Sequence, residues 1–281
     1  MAAAMFGTLP ILAKLGYAAG MTVEQLLAPR FLIAGLAMTV VALIAGQGSL
    51  RMRRRSLLAL FGMGVFGYGG QTLMFFTALT TLPASLVELI QFVYPALVVV
   101  GAWAIYGRAI SIRRLWALLA SFTGITLLVG GVRLQISLDL IFAFAVPVAY
   151  TIYLLVGEHV MRETPALAAG AVMNTGAAAF WVAILASRGH LIVPPNLAAW
   201  LVLGGLAIGP SMVAIPLLLS SLSRIGSDRV ALLSTVEPVI TVGLAFSFLG
   251  ERFSSLQALG AVFVLGSILR LQLPVQTSDG R

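Results

Sequence analysis

Residues 226–250 read GSDRVALLSTVEPVITVGLAFSFLG, and residues 83–107 read PASLVELIQFVYPALVVVGAWAIYG. Each carries a proline at the same place, Pro238 or Pro95, and closes on a glycine, Gly250 or Gly107. Away from its ends each holds one ionisable side chain, Glu237 or Glu88. A hydrocarbon core about 30 Å thick needs about 20 apolar residues in a helix, so either stretch is long enough to cross it. The whole chain has this character: of 281 residues 60% are hydrophobic and 9% charged, with a mean hydropathy of +1.06. An average soluble surface is about 25% charged. Secreted, cytosolic and disordered classes are therefore excluded.

Working outward, apolar stretches of spanning length run from about 2 to 20, 25 to 46, 57 to 80, 83 to 106, 113 to 131, 136 to 157, 166 to 187, 197 to 220, 228 to 249 and 255 to 272. The expectation is an all-α membrane protein of ten transmembrane helices, with no loop long enough for a soluble domain. The apolar, Ala-rich first twenty residues lack a basic leader region and read as a first span. With the amino terminus in the cytoplasm, twelve of the seventeen basic residues fall inside, the run Arg51, Arg53, Arg54 and Arg55 among them, and Arg30, Arg133, Arg188 and Arg252 fall outside. Both termini are then cytoplasmic. Sixteen of the seventeen basic residues are arginines, many of them in short gaps between apolar runs, which suits lipid headgroups and not nucleic acid.

An offset of 143 aligns residues 62–111 with 205–254 without a gap. It matches Gly62 with Gly205, Pro95 with Pro238, Gly107 with Gly250 and Ser111 with Ser254. The chain thus divides into two five-helix repeats, 1–131 and 136–281. Five is odd, so the second repeat enters the membrane from the opposite side. Inverted repeats are a transporter design with the site at the midplane between the halves.

Ala78 to Ser111 and Ser221 to Ser267 resemble the EamA repeat of the drug/metabolite transporter superfamily. The second copy carries Glu237-Pro238 in mid-helix, the turn Gly250-Glu251-Arg252, and Gly260 with Gly266. The first departs: Arg108 stands where that family usually has glutamate, and Tyr94 precedes the shared proline. Lys14 and Arg30-Phe31 extend the likeness over nearly the whole chain. The resemblance implies a bacterial inner-membrane exporter of amino acids, other metabolites or drugs, and a chain that begins inside the family's usual first helix. By the same resemblance, relatives carry nucleotide sugars.

Ionisable side chains are costly in hydrocarbon, so Lys14, Glu88 and Glu237 mark a functional site. Spacings of three and four align Glu88, Gln91 and Tyr94 or Pro95 on one face, and Tyr68, Gln71 and Phe75, with Thr72 beside them, on another. Ser234, Glu237 and Thr241 form a third stripe. The expected substrate-binding set is Lys14, Tyr68, Gln71, Phe75, Glu88, Gln91, Tyr94, Ser234 and Glu237. The neutral members equally suit interhelical hydrogen bonding, and Glu237 has the competing roles of capping backbone near Pro238 or pairing with Lys14. Pro95 and Pro238 should bend their helices, as hinges or as static kinks. The glycines from Gly62 to Gly70, with Gly204, Gly205 and Gly209, favour close packing.

Tyr150 and Tyr153 read as stacking partners for a substrate ring or, more simply, as core, the four tryptophans as interfacial anchors, Asn174 as cavity-facing or glue, and Glu158, His159, Arg162 and Glu163 as a solvated loop. Cysteine is absent, only His159 and His190 are histidines, and no phosphate-binding loop occurs, so no metal, cofactor or ATP is expected. No nucleophile with an acid/base cluster points to an enzyme.

Lys14 for a carboxylate, Glu88 or Glu237 for an ammonium, and aromatic rings for a side chain suit an amino acid, aromatic and other neutral ones included. A nucleotide-sugar or phosphorylated-metabolite antiporter needs more cations than Lys14 alone. A lipid-directed enzyme or a scaffold are the readings outside transport. The partners expected are a small molecule and lipid, in a monomer or homodimer.

Overall fold

The computed structural model describes residues 1–47, 52–107, 112–130, 137–161, 164–188, 193–234, 236–252 and 254–272. Arg51, Arg108, Ser111, Arg133, Arg162, Glu163 and His190 lie outside them. Every regular element among the described residues is a helix. In order these are α1 (Ala2–Phe6), α2 (Leu9–Ala18), α3 (Val23–Ile44), α4 (Arg54–Thr81), α5 (Ala84–Gln91), α6 (Tyr94–Tyr106), α7 (Ile112–Gly130), α8 (Leu138–Val160), α9 (Ala166–Arg188), α10 (197–225), α11 (227–233), α12 (Val236–Leu249) and α13 (Ser255–Gln272).

Among the described residues, seven helices are long and apolar enough to cross a membrane: Val23–Ile44, Arg54–Thr81, Ala84–Ile105, Leu138–Val160, Ala166–Ser187, Leu197–Ser227 and Arg229–Leu249. Ala2–Ala18 and Ser255–Ser267 are shorter apolar helices. Three of the ten expected spans, at α1–α2, α7 and α13, thus stand outside that set. Polarity is inverted relative to a soluble globule: Leu36, Ile44, Phe66, Phe246 and Phe248 are well exposed, while Arg30, Glu88, Asn174 and Glu237 are buried. Such a surface is solvated by lipid, not by water.

The breaks in the helices follow prolines. A proline ring clashes with the carbonyl four residues earlier and removes a backbone donor. α1 stops at Phe6, four before Pro10, and α5 stops at Gln91, four before Pro95. α6 restarts with Pro95 in its first turn, where a missing N–H costs nothing. Pro238 acts alike: α11 ends at Leu233, Ser234 is a turn, and α12 begins at Val236. Gly226, at φ 78°, makes the sharp corner between α10 and α11.

Two stretches are wound as π-helix, Met63–Gly70 in α4 and Ala207–Ala214 in α10. Under the offset of 143 they coincide to within one residue. π segments are uncommon and often accompany functional sites.

Glycine governs the closest helix crossings. A Cβ on Gly124 of α7 would stand 2.8 Å from the Gly260 carbonyl of α13, and one on Gly260 would stand 2.6 Å from the Gly124 carbonyl. On Gly64 it would meet the Met173 carbonyl of α9 at 2.3 Å. Gly204 and Gly209 face open space, so packing accounts for Gly64 and not for them.

Two carboxylates hold helix starts. Glu251 accepts from the backbone amides of Ala84 (2.6 Å) and Ser85 (3.0 Å) and from the Ser85 hydroxyl, securing the first turn of α5. Glu158 accepts from the amide (3.2 Å) and the hydroxyl of Ser227 at the first turn of α11. Ser227 is the counterpart of Ala84 under the repeat offset. Glu158 is therefore a buried structural group and not part of a solvated loop, whereas His159 beside it is exposed.

Candidate functional site

The interruptions between α5 and α6 and between α11 and α12 bring Glu88 and Glu237 to one cavity, whose free space with the open region at its mouth is about 540 Å³. Its polar lining is Glu88, Glu237, Gln71, Gln91, Thr72, Tyr68, Tyr150 and Tyr153, and its apolar lining includes Phe6, Leu9, Phe75, Phe76, Ile215 and Leu218. Residues of α1, α2, α4, α5, α8, α10 and α12 contribute, so both halves of the chain build it.

Six expected residues line this cavity: Tyr68, Gln71, Phe75, Glu88, Gln91 and Glu237. One Glu88 carboxylate oxygen has no hydrogen-bond partner. Gln71 Nε2 lies 3.5 Å from Gln91 Oε1, which ties the α4 and α5 faces together loosely. The Thr72 hydroxyl turns back onto the carbonyls of Tyr68 (2.7 Å) and Gly69 (3.0 Å), so it serves the π-helical backbone.

Three expected residues stand elsewhere. Lys14 is outside the lining, half-buried on α2, and the acid whose charge acts on it is Glu251. Tyr94 is fully enclosed behind the wall, its ring edge-on to Tyr150 at 4.7 Å and its buried hydroxyl without a hydrogen-bond partner among the described residues. Ser234 is buried and donates to the Val230 carbonyl at 3.0 Å. Thr241 donates to the Gly7 carbonyl at 2.8 Å, pinning α12 to the break between α1 and α2.

The cavity also contains residues that helical spacing alone did not select. Tyr150 and Tyr153, for which core was the simpler of two readings, are stacked at 5.7 Å with their rings 10° from parallel, and both line the cavity. Pro147 sits one turn before them in α8, and Thr151 donates to its carbonyl at 2.7 Å. Asn174 is fully buried and donates to the Gly170 carbonyl at 2.9 Å and to Met38 Sδ of α3 at 3.3 Å, which makes it a link between helices and not a cavity group. Trp181 is likewise buried, edge-on to Phe180, and is no interfacial anchor. Trp103, Trp116 and Trp200 are about half exposed.

Arg30 is the largest departure. Expected outside the membrane, it lies within α3 with no exposed surface. Its Nε donates to the Ser211 hydroxyl at 2.7 Å and its Nη2 to the Tyr68 hydroxyl at 3.0 Å. Tyr68 and Ser211 come from the two π-helical stretches and are related by the 143-residue offset.

A central cavity walled by two repeats is the arrangement that comparison with known proteins bears on directly. The model of the EamA-like transporter family matches residues 1–130 and again 138–271. The chain belongs to the EamA-like transporter family. An uncharacterized transporter of Bacillus subtilis (strain 168), YcbK, is 27% identical over 209 residues, 71% of this chain and 67% of that protein. A solved crystal structure 20% identical in sequence matches with a TM-score of 0.74, over 96% of this chain and 94% of its own. That likeness concerns the fold alone. For this EamA-like transporter the functional question is which chemistry the lining selects, since a shared scaffold says nothing about cargo.

Proposed function

We propose that this protein exports small metabolites, amino acids above all and aromatic or other neutral ones among them, across a bacterial inner membrane. Two inverted halves, 1–131 and 136–281, together supplying ten spans with both ends in the cytoplasm, rock about the cavity and expose it to each side in turn. The observation that carries this reading is the pairing of Glu88 and Glu237 with aromatic walls in one cavity. A carboxylate pair offers an ammonium its charge partner, and the rings of Phe75, Tyr150 and Tyr153 offer a flat apolar body its contact area. Chemistry on the cargo is not part of the reading. Two acids in the lining also disfavour a phosphorylated cargo by like-charge repulsion.

The test is uptake of labelled amino acids, nucleosides and cationic drugs into vesicles holding the purified protein. Accumulation of amino acids, reduced by Glu88→Gln and by Glu237→Gln, is the expected result. Accumulation of nucleosides or drugs alone would reassign the cargo, and no accumulation of any class would remove the transport reading. A pH gradient imposed on the same vesicles tests proton coupling: equal gradient-driven flux in both variants and the wild type excludes the two glutamates as coupling groups.

A further inference from the structure

Arg30 presents a cation that the fold itself does not neutralise. No carboxylate among the described residues pairs with it, and its Nη1 has no hydrogen-bond acceptor although it is buried. Its charge is screened by three rings, Phe31, Tyr68 and Phe76, whose centroids lie 5.0, 5.9 and 5.6 Å from Cζ. Rings offset a guanidinium charge only in part, and an unpaired buried cation ordinarily calls for an anion. Two of those rings, Tyr68 and Phe76, are at the same time walls of the cavity. The guanidinium therefore stands one layer behind the surface that a cargo would touch.

The hydrogen bonds have a direction. Tyr68 accepts from Arg30 Nη2, so its hydroxyl proton is left to donate, and no acceptor for it occurs among the described residues. A group that needs a donor at Tyr68 and is stabilised by positive charge behind it is an anion. Nη1, buried behind the lining with no acceptor, adds positive charge at that wall without touching the cargo. Glu88 and Glu237 in the same lining are the opposite pole.

We infer that Arg30 and Tyr68 form a carboxylate subsite, which together with Glu88 and Glu237 selects zwitterions. This rests on the export of amino acids proposed above and supplies the cation that Lys14, beside Glu251, does not bring to the cavity. The competing role is a staple: Arg30 bridges Tyr68 and Ser211, equivalent positions of the two repeats, and a staple supports any cargo equally.

Three probes with one ring separate the two roles: L-phenylalanine, phenethylamine and 3-phenylpropionate carry both charges, the positive one alone and the negative one alone. Binding is measured calorimetrically on the full-length protein in nanodiscs. The wild type is expected to bind phenylalanine tightest. In Arg30→Gln, phenylalanine weakens about tenfold or more, to the level of phenethylamine, which itself is unchanged. Tyr68→Phe, which keeps the cation in place, gives the same change in smaller measure and serves if Arg30→Gln does not fold. Equal weakening of all three probes, or of none, overturns the subsite in favour of the staple. A wild type that binds phenethylamine but not phenylalanine overturns the subsite and leaves the acidic pole standing. A wild type that binds none of the three overturns the amino-acid reading and the subsite together.

Discussion

Glu251 fastens the corner after α12 to the start of α5, accepting a hydrogen bond from the Ser85 amide at 3.0 Å and a second from the Ser85 hydroxyl. Each proline-broken helix pair thus begins on a carboxylate, Glu251 for α5 and Glu158 for α11. Under the repeat offset the counterpart of Glu251 is Arg108, so the second holder had to come from another helix, and Glu158 at the end of α8 supplies it. Charge-assisted bonds to orphan amides at a helix start contribute more than a neutral cap. Glu251→Gln and Glu158→Gln should each cost about 1–2 kcal/mol. The check is the melting temperature of the solubilised protein. The two losses should add, because the sites share no partner. Two variants that melt with the wild type would show the bonds to be incidental.

The α7–α13 crossing, where two glycines face each other's backbone, is a direct place in which to test packing. Neither Gly124 nor Gly260 has room for a methyl group without displacing the other's backbone. Gly260→Leu should therefore separate the helices, with a loss of about 1–3 kcal/mol seen as a lower melting temperature. Gly204→Ala is the matched control, because its Cβ would meet nothing within 4 Å and alanine favours helix by up to about 1 kcal/mol. A destabilised Gly204→Ala or a neutral Gly260→Leu would contradict the crossing geometry.

Glu88 sets function against stability. It is buried with one carboxylate oxygen unpartnered, which is an unfavourable place for a charge in the absence of cargo. Glu88→Gln keeps the shape and removes that burden. Its empty form should melt higher, by about 2–4 °C if roughly 1 kcal/mol is regained. Its binding of an ammonium-bearing cargo should fall in the same preparation. Loss of both stability and binding would instead make Glu88 a structural acid.

What the sequence reveals here is set by its periodicity. The stripes Tyr68-Gln71-Phe75 and Glu88-Gln91 reach the cavity because polar residues three and four apart on an apolar helix have one face on which to be buried. Tyr94 and Ser234 belong to such stripes as well, yet the helix interruptions between 91 and 94 and between 233 and 236 rotate them behind the wall. Proline marks that a break occurs and not the turn that results. Arg30 and Glu158 were hidden for a different reason. Each lies near the end of an apolar run, where a charge ordinarily meets water or headgroups, and their partners Ser211 and Ser227 are 181 and 69 residues away. No local pattern carries contacts at that range. Tyr150 and Tyr153 look like core because tyrosine is at home in one, and only the neighbouring helices decide which side of the wall they occupy.

The interruptions at Pro95 and Pro238 give the last test, of whether they are hinges or fixed kinks. Alanine restores a donor for the carbonyl four residues back, at Gln91 or Ser234, and so favours an uninterrupted helix. If the bends are held by packing alone, the surroundings keep the shape and transport is unaltered. If they open and close during the cycle, Pro95→Ala and Pro238→Ala stiffen the moving joints. Cargo binding then persists while the rate of uptake into vesicles falls several-fold, because a hinge acts on the conformational step. The matched positions of the two prolines, and the loose 3.5 Å tie between Gln71 and Gln91 beside one of them, favour the second outcome. Both variants transporting at the wild-type rate would make the prolines structural, and the site of flexing would then have to be sought in the π-helical stretches Met63–Gly70 and Ala207–Ala214.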